Sequence, residues 1–272
     1  MNIKKFATLG VIALGIGTFS FSQSYATENV HSSIQKNVVY AVEDNLTDVM
    51  TEDIIPGYQK VDPALEIYYI SQVKEALDQY YHLSVPEDFI VYVSIVNESN
   101  IAAEDAYWSA KIQEEFESGL ITNEQFEHYQ KSHQNGIARM QNKLTKLNHD
   151  YVDCSIYDHE MGIQYGATFN ANTKELIRLD LYSGYNTQAL TDINSKELET
   201  LGAEFIKQHN LGDLKEPTTY HTQLGNNITV IYQDASNPSN KVLLDINPVT
   251  KSLYGFCTKS YANMMCNAIL NS

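Results

Sequence analysis

The sequence predicts an α+β protein with two repeats, each a helix packed on a four-stranded antiparallel sheet, and a helical hairpin inserted in the first repeat. Two sequence segments predict this fold, because each has a similar second copy later in the chain. The hairpin phrase "FNANTKELIRL" at 169–179 returns as "INPVTKSLYGF" at 246–256, an offset of 77 residues. "YYHLSVPEDF" returns as "KQHNLGDLKEPTTY", with Leu83 aligned to Leu211 at an offset of 128. The two offsets differ by 51 residues, which is the length of the helical segment 98–148.

The two hairpin phrases share four identical residues. Each combines a polar turn with an apolar residue that begins the next strand. Chance similarity between polar turns is the alternative explanation, and the shared order of helix and strands argues against it. The identical pairs are Asn170 with Asn247, Thr173 with Thr250, Lys174 with Lys251 and Leu176 with Leu253.

The first 26 residues predict a secretory signal peptide. Lys4 and Lys5 precede an apolar run, and Ser24-Tyr25-Ala26 has the small-x-small pattern of a cleavage site. We expect cleavage after Ala26, followed by a polar, acidic leader at 27–61. An uncleaved membrane anchor is the alternative, but the apolar run is short for a membrane span. The predicted protein is secreted, or extracellular and associated with the cell wall.

Charge limits the classes of partner. The signal holds two of the 18 basic residues and none of the 34 acidic ones, so the mature chain would have a net charge of −18. Such a chain repels nucleic acid and anionic membranes, so we expect no nucleic-acid partner and no membrane association after signal removal. The expected partner is a protein or peptide that the sequence does not identify.

The first repeat is predicted to span 62–186. Asp62-Pro63 favours a helix start, because Asp caps helices and Pro suits the first helical position. The β-branched run at 89–96 predicts a strand. Residues 98–148 then predict two helices, separated at Gly119, with a cap at Thr122 or Asn123. The remaining predicted strands are 151–157, 163–169 and 175–182.

The second repeat is predicted to span 187–272, including a C-terminal tail. A polar linker precedes a helix that begins at Ser195, where Asn194 and Glu197 have the spacing of a capping box. The predicted strands are 218–224, 227–234, 241–247 and 251–258.

Three cysteines remain in the mature chain, and an exported protein can oxidise two of them. Cys154 alternates with apolar residues and is predicted to lie on the buried face of a strand. Cys257 and Cys266 are close in sequence, so we expect them to form a disulfide that closes a short loop. A catalytic cysteine would need a neighbouring His, which the local sequence does not supply.

The hairpin "LLDINPVTKSLYGF" resembles those of PepSY-type domains, which are similar to cystatin-like α+β folds. The resemblance covers about 62–96 with 151–182, and 195–258. PepSY-type domains occur in tandem in exported Gram-positive proteins and in propeptides of metalloproteases. Two residues depart from the pattern: Lys251 stands where the family often has Gly, and the first copy lacks the Pro. The resemblance implies a non-catalytic module that binds or restrains peptidases, with no catalytic residue to assign.

Motif by motif, the sequence predicts no catalytic residue, no metal site and no cofactor. The His159-Glu160 pair opens like a zincin motif, but Ile163 stands where the second His is needed. Glu124 and His128 share a helix face, where a solvated surface pair is the preferred interpretation. Four further groups are interpreted as structural: His133 near that pair, His82 and His209 at helix ends, and the tyrosine-rich helix surface.

The predicted function is therefore an exported, non-catalytic binding or inhibitory module acting on a peptidase or a cell-envelope partner. Exposed edge strands would accept an extended peptide. Two alternatives stay open: an extracellular hydrolase whose site is assembled from scattered residues, and a structural, envelope-associated protein. A cleft that gathers His, Asp and Glu with shifted pKa values would favour the hydrolase, and an unpaired sheet edge would favour the binding module.

Overall fold

The computed structural model describes residues 55–85, 90–158, 163–182, 194–224 and 228–270. The predicted signal peptide, most of the acidic leader, the linker after the first repeat and His159-Glu160 lie outside the described residues. The described helices are α1 (Pro63–Tyr81), α2 (Glu98–Glu117), α3 (Asn123–Leu147), α4 (Ser195–His209) and α5 (Lys259–Leu270). The described strands are β1 (Ile90–Val96), β2 (Tyr151–Asp158), β3 (Ile163–Asn170), β4 (Leu176–Tyr182), β5 (Pro217–Leu224), β6 (Ile228–Asp234), β7 (Lys241–Ile246) and β8 (Leu253–Thr258).

These elements confirm the predicted α+β class, with a helix and four antiparallel strands in each half and a helical hairpin between β1 and β2. The described chain divides into two compact units. One contains the hairpin α2–α3 together with residues 55–59, and the other contains the sheet with α1, α4 and α5. No described helix is long and apolar enough to cross a membrane.

The helix starts follow from local chemistry. The Asp62 carboxylate accepts a hydrogen bond from the Ala64 amide at 2.9 Å, with Pro63 at the first helical position. The Asn194 side chain caps α4 through the Glu197 amide at 3.3 Å. Thr122 precedes α3 and exchanges two hydrogen bonds with Gln125 in its first turn, which forms a capping box.

The two hairpin turns have the same hydrogen-bond pattern. In the first turn, the Lys174 amide donates to the Asn170 carbonyl at 2.8 Å, and the Thr173 amide donates to the Asn170 side chain at 3.1 Å. Lys251, Asn247 and Thr250 form the same bonds at 2.8 and 3.1 Å in the second turn. Both lysines adopt the left-handed conformation, with φ of 61° and 57°, which is the reason Gly is common at this position.

The sheet joins the two repeats edge to edge, in the order β1-β2-β3-β4-β8-β7-β6-β5. Leu179 of β4 lies opposite Phe256 of β8, and these two residues are equivalent at the 77-residue offset. On either side of them, Arg178 lies opposite Cys257 and Asp180 lies opposite Gly255. At the same offset Arg178 is equivalent to Gly255 and Asp180 to Cys257, so the second pair repeats the first with the two repeats exchanged. The repeats are therefore related by a local two-fold axis through the β4–β8 pair.

The main core lies between the sheet and the helices α1 and α4. Alternate residues of β1, β2, β3, β6 and β7 point into it, as the strand period requires. Its largest buried members include Tyr69 and Leu77 from α1, Ile206 from α4, and Tyr232 and Phe256 from the sheet. The predicted C-terminal tail, for which the sequence assigned no secondary structure, contains helix α5, which packs on β4, β7 and β8. Packing on the sheet stabilises this helix.

Gly202 provides the first test of this core. A Cβ at Gly202 of α4 would lie 2.1 Å from the Tyr232 hydroxyl and 3.0 Å from a Leu244 methyl. We expect Gly202→Ala to destabilise the protein by about 1–3 kcal/mol, because overpacking outweighs the higher helix propensity of Ala. Urea unfolding measures the change. Tyr232→Phe removes the hydroxyl that clashes and is expected to recover part of the loss, and a stabilised Gly202→Ala protein would contradict this packing.

Candidate functional site

The three cysteines are buried free thiols, so the expected Cys257–Cys266 disulfide is not formed in the structure. The secondary structure of the two cysteines and of the residues between them explains this. Cys257 lies in β8 and Cys266 lies in α5, so a helix replaces the short loop that the pairing assumed. Burial raises the pKa of the Cys266 thiol to about 11 and that of Cys257 well above its ordinary value. Cys154 packs in the core as predicted.

Thiol counting tests this assignment. We expect three reactive thiols per chain in denaturant and little reaction in the folded protein, because burial disfavours the reactive thiolate. Ellman's reagent, added with and without guanidinium chloride and without reductant, makes the measurement. One reactive thiol in denaturant would contradict the free-thiol structure and restore the disulfide.

The histidines interpreted from sequence have structural partners. His82 ends α1 in the left-handed conformation, and its amide donates to the Asp78 carbonyl at 3.0 Å. His209 packs on the Phe205 ring with centroids 4.5 Å apart, and burial lowers its pKa. His133 Nε2 lies 3.0 Å from Asp105 Oδ1, so its partner is Asp105 and not the Glu124–His128 pair. The described residues contain no group of three or more potential metal ligands.

The tyrosines of the tyrosine-rich helix surface are largely used in packing. Tyr69 is 2% exposed and packs on Phe169 with ring centroids 5.0 Å apart. Tyr80 packs edge-on against Phe256 at 4.8 Å. Tyr68 lies beneath the Lys174 ammonium, 5.5 Å from the ring centroid, so it supports the first hairpin turn.

A row of buried polar side chains, which the sequence interpretation missed, crosses the sheet face on which α5 packs. Arg178 forms an ion pair with Asp180, and its guanidinium lies 5.5 Å from the centroid of the Tyr261 ring of α5. Gly255 lies between Asp180 and Asp245 on neighbouring strands. A Cβ at Gly255 would approach an Asp180 carboxylate oxygen to 2.6 Å, so the missing side chain provides the space for this carboxylate.

The same row contains a hydroxyl–carboxylate pair in each repeat, with the two roles exchanged. In the first repeat, Thr168 of β3 donates to Asp153 of β2 at 2.6 Å. In the second, Thr229 of β6 donates to Asp245 of β7 at 2.5 Å. Thr168 and Asp245 are equivalent at the 77-residue offset. The pair therefore links neighbouring strands in both repeats, which is a structural role.

Burial raises the pKa of Asp245 to about 7, with Asp180 adding to the rise and Thr229 and Arg178 opposing it. Shifted carboxyl groups often mark catalytic sites, but they also occur in buried ion networks. Here the shifted carboxyl lies in the sheet interior with Thr229 as its hydrogen-bond partner. We therefore assign this row to the stability of the β4–β8 junction.

The two edges of the sheet differ in how they resist further strand pairing. β5 begins with Pro217 and is interrupted by a bulge between Thr219 and His221. Helix α4 packs against it, with a hydrogen bond of 2.8 Å between the Thr222 hydroxyl and Glu199. Proline and bulges are devices that protect an edge strand. A helix packs on both end strands, α4 on β5 and α1 on β1, so it does not distinguish them. β5 is therefore a protected edge.

The strand at the opposite edge, β1, has neither of these protecting features. Its residues "IVYVSIV" include no Pro, Gly or charged side chain, and it pairs with β2 over seven consecutive positions with no bulge. Val91 and Val93 pack against the main core from a half-buried position. Among the described strands, β1 pairs with β2 alone. Among the described strands, β1 is therefore the candidate functional surface, because it is the end strand that is regular and uncharged.

Comparison with known proteins adds two structural likenesses. No family model matches the sequence, and no curated protein is similar enough to be matched. The structure is similar to the C-terminal domain of YpeB from Bacillus megaterium, with a TM-score of 0.41 and 7% identity, over 75% of this chain and 65% of that one. It is also similar to a Clostridium leptum protein of unknown function, with a TM-score of 0.25 and 12% identity, over 44% of this chain and 83% of that one. Neither likeness is close enough to support a function.

Proposed function

We propose that this chain is an exported, non-catalytic binding module built from tandem PepSY-like units. It would hold an extended segment of a peptidase or cell-envelope partner along β1. The single observation that carries the proposal is the contrast between the sheet edges, because β5 is protected and β1 is apolar and regular. Two further features support it: the repeated helix-plus-four-strand unit and the matched hairpin turns.

Strand addition explains how such a surface would recognise a partner. An added strand gains main-chain hydrogen bonds from the edge, and alternate side chains give specificity. On β1, Val91 and Val93 extend the core face, whereas Tyr92 and Ser94 alternate with them. The preferred segment is therefore extended, with apolar residues on one face and polar or aromatic residues on the other.

A differential capture experiment tests the proposal. The mature protein would be immobilised and exposed to culture supernatant and cell-wall extract of the producing organism. We expect wild type to recover a peptidase or envelope protein, and Ser94→Lys to lose it, because a Lys on an edge strand opposes strand pairing. Thr219→Lys places the same charge on the protected edge β5 and is expected to behave like wild type.

Two outcomes would contradict this proposal. One is recovery of no peptidase or envelope partner by the wild-type protein. The other is equal recovery by wild type and Ser94→Lys, which would move the binding surface away from β1. Circular dichroism of all three proteins establishes that the variants are folded.

A hydrolase is the second candidate, and one contact favours it. The Ser260 hydroxyl lies 2.8 Å from His149 Nε2, and His149 Nδ1 lies 2.8 Å from the Asp150 carbonyl oxygen. With Nδ1 donating to that carbonyl, Nε2 accepts the serine proton, as a general base does. These residues are 111 positions apart in sequence, so sequence motifs did not reveal the contact.

A fluorophosphonate probe decides between the two candidates, because it labels serines activated by a base. The binding-module proposal predicts no labelling beyond that of Ser260→Ala. Labelling of wild type at Ser260 that persists in Ser239→Ala and is lost in His149→Gln would support the hydrolase instead.

A further inference from the structure

Two buried polar atoms on α2 lack a hydrogen-bond partner. They are Glu104 Oε2 and Trp108 Nε1, and neither atom has a partner within the described part of the chain. The two residues are four positions apart, so their side chains share one face of the helix. A buried polar atom without a hydrogen bond costs free energy, and such atoms are rare in folded proteins. This face of α2 therefore contains two unfavourable groups in adjacent helical turns.

Residues 55–59, which we call the strap, are held on the same face of α2. The strap and α2 belong to the same compact unit. The Gln59 amide donates to Asn100 Oδ1 at 2.8 Å, and Asn100 Nδ2 donates to the Gln59 carbonyl at 2.9 Å. Asn100 lies four positions before Glu104, so these two bonds attach the strap one helical turn from the unpartnered carboxyl.

The closed strap favours the protonated form of Glu104. Burial raises the pKa of Glu104 from 4.5 to about 7, with no opposing effect from a cation among the described residues. Tyr58 of the strap lies within electrostatic range: burial and then the Glu104 charge raise its pKa to about 12, while a hydrogen bond with Asn100 opposes the rise. The nearest titratable pair between α2 and α3 is turned to itself, because His133 Nε2 lies 3.0 Å from Asp105 Oδ1.

We propose that the strap is a pH-dependent device, closed on α2 when Glu104 is protonated and open when Glu104 is ionised. The two Asn100 hydrogen bonds favour closure, and the two unpartnered atoms oppose it, so the charge on Glu104 decides between the states. Opening lets water bind Glu104 Oε2 and Trp108 Nε1. The inference goes beyond the proposed function and uses no residue of β1.

The pH dependence has a defined sign. The closed strap binds the Glu104 proton more tightly than the open strap, in which the pKa returns to its ordinary value of 4.5. Closure is therefore most favourable below pH 4.5, weakens as the pH rises, and levels off above about 7. Between pH 5 and pH 8 we expect the equilibrium constant for opening to rise on the order of 100-fold.

Hydrogen exchange of the Gln59 amide measures the opening, because Asn100 Oδ1 protects this amide in the closed strap. In the intact protein we expect its protection factor to fall on the order of 100-fold from pH 5 to pH 8. Glu104→Gln keeps the shape of the side chain and removes the charge, so its protection factor is expected to be equal at the two pH values. An amide in the middle of β7 reports opening of the sheet and separates it from opening of the strap.

Two variants separate Glu104 from its titratable neighbours. Asp105→Asn and His133→Gln each remove one member of the adjacent pair, and both are expected to retain the wild-type fall. Trp108 gives an independent readout, because it is the only tryptophan of the chain. Its fluorescence emission is expected to shift to longer wavelength between pH 5 and pH 8 in wild type and to stay constant in Glu104→Gln.

Three results would overturn the inference. The first is a Gln59 protection factor that does not change with pH in wild type. The second is a wild-type fall that persists in Glu104→Gln, which would place the titrating group elsewhere. The third is a fall that disappears in His133→Gln, which would assign the pH dependence to the histidine of α3.

Discussion

Replacing Arg178 with methionine is expected to lower the free energy of unfolding by about 3–5 kcal/mol, the cost of leaving one member of a buried ion pair without its partner. The Arg178 side chain is 2% exposed and that of Asp180 is 7% exposed, so water does not replace the lost guanidinium. Urea unfolding followed by circular dichroism at pH 7 measures the change.

Two controls separate charge from packing in that experiment. Adding Asp180→Asn to Arg178→Met removes the buried carboxylate charge that has lost the Arg178 guanidinium, so the double variant is expected to be more stable than the single one. Lys111→Met breaks an exposed ion pair with Glu114 and is expected to cost less than about 1 kcal/mol. Equal losses in the single and double variants would show that Arg178 acts through packing on Tyr261 and not through its charge.

Asp245→Asn is expected to stabilise the protein above neutral pH and to have little effect near pH 3. The folded state holds the pKa of Asp245 at about 7, against an ordinary value of 3.8. The folded protein therefore binds this proton more tightly than the unfolded chain, and stability falls as pH rises through this window. At about 1.4 kcal/mol per pKa unit, the Asp245 contribution is on the order of 4 kcal/mol.

Unfolding by urea at pH 3.5, 5.5 and 8 measures this dependence. Asn retains an oxygen that accepts the Thr229 hydroxyl, so the substitution removes the charge and keeps the hydrogen bond. Asp234→Asn provides a control of opposite sign, because hydrogen bonds from Ser236 and Lys215 hold the pKa of Asp234 at about 2. That variant is expected to lose stability above pH 4. A wild-type dependence unchanged by Asp245→Asn would contradict the buried-carboxyl assignment.

Much of the local structure was predictable from sequence. The caps at Asp62 and Asn194 and the two hairpin turns depend on bonds between residues two to four positions apart. Such bonds follow from residue type and spacing, which a sequence displays directly. The two offsets between the repeats also predicted the inserted hairpin, because one insertion of the length of 98–148 accounts for both offsets.

The candidate site was less predictable. The sequence interpretation expected peptide binding at an edge strand without identifying the edge, because edge status depends on which strands pair. Arg178 and Asp180 alternate with apolar residues in β4, a pattern that shows a polar face but not whether another element covers that face. Helix α5 covers it, and the sequence had assigned no secondary structure to this segment.

The sequence by itself determined the α+β class, the duplicated unit, the inserted hairpin, the caps of α1 and α4 and the two hairpin turns, because hydrophobic period and capping chemistry are local. Only the tertiary structure decided that the two repeats form one sheet through β4 and β8, with Leu179 and Phe256 on the axis. It also decided that Gly202 accommodates Tyr232 and that β1 and β5 are the two end strands among those described. Strand order and side-chain contacts depend on residues that are far apart in the chain. Which of these residues meet is decided when the chain folds, so local sequence patterns do not display it.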